Sequence, residues 1–146
     1  SVVEGLEKIM HDEQEIWDFL HRHLQSIFTQ DADGYRATTS PELSLYEWFV
    51  TPHRQDGLDF HFFMIEHNWA GAGSDFRYDL LEPRLQLYGD TAIVSYTFML
   101  TIAGENGIEH RSHNESRVLV YGDGGWQVVH VHKSPGWRAP REAPRG

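Results

Sequence analysis

Three groups of side chains in this sequence have the type and spacing for chemistry. His130 and His132 lie two residues apart, so on a strand they share a face. They make a metal site if His110 or His113 supplies a third ligand; otherwise they line an outer sheet face that meets a partner subunit. Arg111, His113, Glu115, Arg117 and Leu119 share one parity, and Val129, Val131 and Lys133 share another on the following segment. Whether the two faces coincide depends on the turn at Asp123-Gly-Gly125. A three-residue loop matches odd with odd, and a two-residue loop does not. Arg117 and Lys133 buried on one face would need an anion, since an uncompensated buried charge is expensive. That anion is a ligand carboxylate or Glu115 itself, and the two are compatible. His61, flanked by Phe60 and Phe62, is either a core or rim histidine or a member of the same site.

Composition limits what this chemistry can be. The 146 residues fit one domain and bury roughly 70% of the unfolded surface, enough for a core without staples. Cysteine is absent, which removes disulfides, thiolate catalysis and cysteine-ligated zinc or iron–sulfur centres. A net charge of -10 argues against nucleic acid as a partner. No apolar run approaches the ~18 residues of a membrane span, and no secretory signal is visible, so the expectation is a cytoplasmic protein without a membrane partner. No residue pattern calls for a cofactor.

The elements that must position these residues are read from periodicity. Apolar residues from Val3 to Phe28 recur at helical steps opposite Glu4, Glu7, Asp12, Glu15 and Asp18, predicting one long helix stopped at Asp31-Ala-Asp-Gly34 with Gly34 as its left-handed cap. Glu42–Phe49 reads as a strand, with Leu43, Leu45 and Phe49 set apart from Glu42, Ser44 and Glu47. The run 51–57 reads as a loop, and Leu58–Trp69 as a second helix ended by Gly71 and Gly73. After Ser74 the period becomes 2. Strands follow through Tyr88, from Thr91 to Ile102, from Ile108 to Tyr121 and from Trp126 to Lys133, with turns at Glu105-Asn-Gly107 and Asp123-Gly-Gly125. Helices first and an antiparallel meander after them predict an α+β fold: a curved sheet with helices on one face and a pocket between. The folded domain is placed at 1–135 and a Pro/Arg-rich tail at 136–146.

Several stretches carry a resemblance. Gly57-Leu-Asp-Phe-His-Phe-Phe-Met-Ile-Glu-His-Asn-Trp69, Asn114-Glu-Ser-Arg-Val118 and Gly125-Trp-Gln-Val-Val-His-Val-His-Lys-Ser-Pro135 are similar to the association (hub) domain of calcium/calmodulin-dependent protein kinase II. That domain sits within the SnoaL-like, nuclear transport factor 2-like superfamily. Ser40-Pro-Glu-Leu-Ser-Leu-Tyr-Glu47 resembles the family's first strand. No glycine-rich phosphate loop or His-Arg-Asp motif is present, so the resemblance is to the hub without the kinase. It implies a cone-shaped, cystatin-like fold with a curved antiparallel sheet around a long N-terminal helix. It further implies a mouth whose cations bind small carboxylates: His61, Arg117 and Lys133 by motif, with Trp69 flanking. Thr97 stands where the family has a further arginine, and Lys133 where it usually has arginine, which weakens bidentate recognition.

The leading expectation is a non-catalytic domain that associates with itself and binds a small anionic molecule through His61, Trp69, Arg117, Lys133, Glu115 and Tyr46. Outer-face residues Trp126, Val128, His130 and His132 would pack against a second copy, giving a dimer or larger ring. The alternative is a ketosteroid isomerase- or polyketide cyclase-like enzyme with Glu115 or His61 as base and Arg117 or Tyr46 steadying an oxyanion. Arg117 beside Glu115 lowers the carboxyl's pKa and makes Glu115 a poor base.

Overall fold

The structure, a computed structural model, describes residues 10–67 and 75–137. Apolar residues at helical spacing form α1, Glu13–Phe28, which buries Ile16, Phe19, Leu20, His23 and Leu24. It starts later than the periodicity predicts, because Asp12 caps it by accepting from the Gln14 amide at 3.0 Å. His11 lies ahead of that cap, and residues 1–9 fall outside the described set. Gly34 is not the C-terminal cap. The left-handed residue is Gln30, at φ 58°, whose side-chain amide donates to the Ile65 carbonyl at 3.0 Å. Gly34 lies inside a second helix, α2, Ala32–Thr38, where its amide donates to the Asp31 carboxylate. A Cβ there would come within 2.4 Å of Asp31 Oδ2, so the glycine permits the cap's close approach.

The strands are β1 (Thr39–Glu47), β2 (Thr51–Asp56), β3 (Phe76–Tyr88), β4 (Thr91–Gly104), β5 (Gly107–Gly122) and β6 (Gly125–Pro135), with α3, Asp59–Glu66, between β2 and β3. They form one six-stranded sheet in the order β2-β1-β6-β5-β4-β3. All neighbours are antiparallel except β1 and β6, which run parallel, so the sheet is not purely a meander. The segment read as a loop at 51–57 is edge strand β2 and the turn after it. Its proline and charges suit an edge, where one side of the ladder needs no donors. Trp69, Gly71 and Gly73 lie outside the described residues, as does the tail from residue 138.

The sheet curls around α1. Ala92, Val94, Tyr96, Phe98 and Leu100 alternate inward along β4 and meet Leu20 and Leu24 with Leu43, Leu45, Leu119 and Val131. Each fully buried Leu or Ile contributes on the order of 1.5–3 kcal/mol. Among the described residues no helix is long and apolar enough to cross a membrane.

One irregularity decides what the last two strands present. The β5–β6 turn has two residues, with Gly122 opposite Gly125. By parity alone Arg117 and Lys133 would face opposite sides. A bulge intervenes: Leu119 pairs with Val128 and Val118 with His130, leaving Val129 without a partner in the ladder. Trp126 and Val128 therefore face inward before the bulge, and Val131 and Lys133 after it. This corrects the expectation of an outer stripe containing Trp126 and Val128. Trp126 is 6% exposed and Val128 0%, both in the core. His130 and His132 do face outward, bonded to Ser44 and packed on Tyr46.

Candidate functional site

At the open end of the curl the apolar core gives way to a hollow of about 590 Å³. Arg117 and Lys133 reach it from β5 and β6, and behind them a chamber of about 30 Å³ continues toward α2 and α3. That chamber has room for about one water. Arg117 and Lys133 line both spaces and form the partition.

Arg117 is 2% exposed. Its Nη1 donates to Glu115 Oε1 at 2.6 Å and to the Tyr96 hydroxyl at 3.3 Å, while its buried Nε has no partner. Glu115 accepts from Tyr96 OH at 2.7 Å, and its second oxygen lies 2.5 Å from His113 Nε2. Burial alone would push Glu115 up, but Arg117, His113 and Lys133 outweigh it and hold the carboxyl well below its usual range. The Arg117–Glu115 pair thus stays ionised in the wall.

A second, similar set lies across the partition. Lys133 Nζ donates to Glu47 Oε2 at 2.7 Å, and His61 Nε2 lies 3.1 Å from Glu47 Oε1. The other nitrogen of His61 is hydrogen-bonded to the Tyr35 hydroxyl. Burial works against Glu47 as well, but Lys133 and His61 bring its pKa down to about 2. His23, stacked on Tyr35, is held neutral by burial first and by Arg117 next.

The structure thus gathers His61, Glu115, Arg117 and Lys133 around one partition. It does not bring Tyr46 there. In β1 the inward residues are Leu43, Leu45 and Glu47, so Tyr46 lies on the convex face against the His132 ring. Thr97 is also on that face, donating to Asn114, and the inward-facing residues beside it are Tyr96 and Phe98. No position at Thr97 could carry a cation into the hollow. Trp69 falls outside the described residues. The His-x-His pair faces away from His113, and among the described residues no group of three or more His, Asp or Glu could hold a metal ion.

Sequence reasoning missed Glu47, which it set apart from Leu43 and Leu45 together with Glu42 and Ser44. The signal was there: Leu43, Leu45 and Glu47 run at steps of two. It also missed the aromatic mouth. Trp48, Phe49 and Trp137 line the hollow with Phe28 and Phe98. Trp137, assigned to the tail, lies 5.9 Å from the Trp48 ring. Gly136 allows this, since a Cβ there would be 3.1 Å from His113 Cα.

Comparison with known proteins agrees with this architecture. The family described as calcium/calmodulin dependent protein kinase II association domain matches residues 12–136. The alpha chain of calcium/calmodulin-dependent protein kinase type II from Drosophila melanogaster is 28% identical over 123 residues, 83% of this chain and 23% of that protein. This chain thus spans about a quarter of the length of the curated relatives it matches. The association domain of C. elegans CaMKII superposes with a TM-score of 0.75 at 27% identity, covering 84% of this chain and 94% of that one. A nuclear transport factor 2-like superfamily protein from Salmonella enterica superposes at 0.70 with 24% identity, over 90% and 96% of the two chains, which shows the shared fold. From residue 12 to residue 136, across the helix, the curled sheet and the walls of the hollow, the chain belongs to the calcium/calmodulin-dependent protein kinase II association domain family.

Proposed function

We propose that this domain assembles with copies of itself and binds a small carboxylate-bearing molecule in its hollow. The observation that carries the ligand reading is the placement of two cations, Arg117 and Lys133, in the wall of a hollow of about 590 Å³. Arg117 and Lys133 are already balanced by Glu115 and Glu47. An incoming anion is therefore recognised by the donors that Arg117 and Lys133 keep beyond these pairs, and not by net positive charge. The Trp48, Phe98 and Trp137 rings suit an apolar body on the same molecule.

Melting curves recorded against a panel of small carboxylates test this. A saturating acid at ~100 times its Kd adds roughly 2.7 kcal/mol, and Lys133→Gln should weaken that response. A flat panel would refute the ligand reading.

The association reading draws on the family to which the chain belongs and on the convex face. Ile93, Val118 and His130 follow one another across β4, β5 and β6 there, half-buried, with His132 and Tyr46 beside them. Light scattering is expected to give at least a dimer, and His130→Glu should shift it toward monomer. A stable wild-type monomer at micromolar concentration would remove the proposal.

A further inference from the structure

We infer that His113 is a general base, oriented by Glu115, and that the hollow enolises an aryl-substituted α-keto acid. The inference rests on the ligand reading above, since the same donors must hold the acid. His113 Nε2 is 2.5 Å from Glu115 Oε2, and its Nδ1 has no hydrogen-bond partner among the described residues. A neutral imidazole in this position donates from Nε2 to the carboxylate and offers the Nδ1 lone pair to the hollow that its ring lines. Glu115 was a poor base because Arg117 keeps it ionised. That same property makes it a good orienting group, fixing the tautomer and stabilising the imidazolium that forms.

The surroundings of His113 fit this role. Its ring stacks on Phe98 at 5.3 Å, and Trp48 meets it edge-on at 5.8 Å. Trp48 and Trp137 offer faces for a flat aryl group. Arg117 and Lys133 both converge on Glu115, at 2.6 Å and 4.0 Å, so the spare cationic donors and the base lie around the same carboxylate. An α-keto acid carries a carboxylate and a keto oxygen side by side, and both are acceptors for these donors. In the step proposed, His113 Nδ1 takes a proton from the carbon next to the ketone. The C–H electron pair becomes a C=C bond, and the keto oxygen becomes an enolate facing the guanidinium of Arg117 and Lys133 Nζ. Return of a proton from His113 to carbon regenerates the keto acid. No oxidant, reductant or second substrate is consumed.

The test uses phenylpyruvate in D2O. Deuterium uptake at the benzylic carbon is followed by NMR against buffer alone, and binding is read separately from ligand line broadening. Wild-type protein should bind it and accelerate uptake. His113→Gln should still bind and melt near the wild-type temperature while losing about 100-fold in exchange rate. His113→Ala, which removes the ring together with its bond to Glu115, serves as the second variant if the first does not fold. Binding without faster exchange would overturn the base assignment and leave the ligand reading standing. Undiminished exchange in a folded His113 variant would also overturn it. Failure of phenylpyruvate to bind would overturn this inference, and failure of every acid in the thermal panel would remove the ligand reading too.

Discussion

The two carboxylates on either side of the partition have nearly the same dress and different exits. Glu47 and Glu115 are each hydrogen-bonded to one permanent cation and one imidazole, at 2.7 and 3.1 Å for the first and 2.6 and 2.5 Å for the second. The outer nitrogen of His61 is spent on Tyr35, inside a chamber with room for about one water. The outer nitrogen of His113 is unspent, beside a hollow of about 590 Å³. One set is closed and ties β1, β6, α2 and α3 together; the other is open and can act on a guest. Equivalent charge pairs therefore take different work from what the second imidazole nitrogen faces.

The cations separate the two sets most strongly. Arg117→Met takes the nearest cation from Glu115 in a buried wall and should cost about 3–5 kcal/mol in chemical denaturation. Lys133→Met should cost clearly less, because the Lys133 side chain is 12% exposed against 2% for Arg117, so water can take over more of its work. Equal losses would mean the two sets are not distinguished by burial.

Acid sharpens the closed set next. The Glu47 pKa is depressed in the folded state, so its stabilisation is complete above the ordinary value of 4.5 and is lost as pH falls toward about 2. That window corresponds to about 3 kcal/mol, and Glu47→Gln should remove that part of the acid-denaturation profile. A profile unchanged by Glu47→Gln would show that the carboxylate is not held as described.

Tyr35→Phe frees the outer nitrogen of His61 and should cost ~1 kcal/mol. It should also raise carbethoxylation of His61, read by mass spectrometry, toward the level of His113. If His61 already reacts as fast in the wild type, the closed–open distinction fails.

The smallest effect concerns the mouth. Gly136→Ala places a Cβ 3.1 Å from His113 Cα, so the chain must shift by a few tenths of an ångström. Fluorescence of Trp137 should change, with little loss of stability. An unchanged spectrum would mean that Gly136 does not set the position of Trp137.

Much of the fold was legible because its signals are local. The 3.6-residue period of Ile16, Leu20 and Leu24 announces α1, and Asn106-Gly107 announces the β4–β5 turn, where Gly107 has φ 104°. The site was legible in part. Glu115 and Arg117 share a parity that nothing disturbs, and they do face inward together. β2 was illegible because its proline and charges are tolerated only at an edge, and being an edge is a property of the whole sheet. Glu47 was misassigned because charge was weighed above parity.

By itself, then, the sequence determined the elements, their periods and the chemical types brought to the last two strands. Tertiary structure alone decided which of those types meet. The turn after β5 would have sent Lys133 outward, and the single residue of slack at Val129 turns it back beside Arg117. A strand repeats every two residues, so one extra residue exchanges its faces, and the choice between registers is made by what packs on both sides of the sheet.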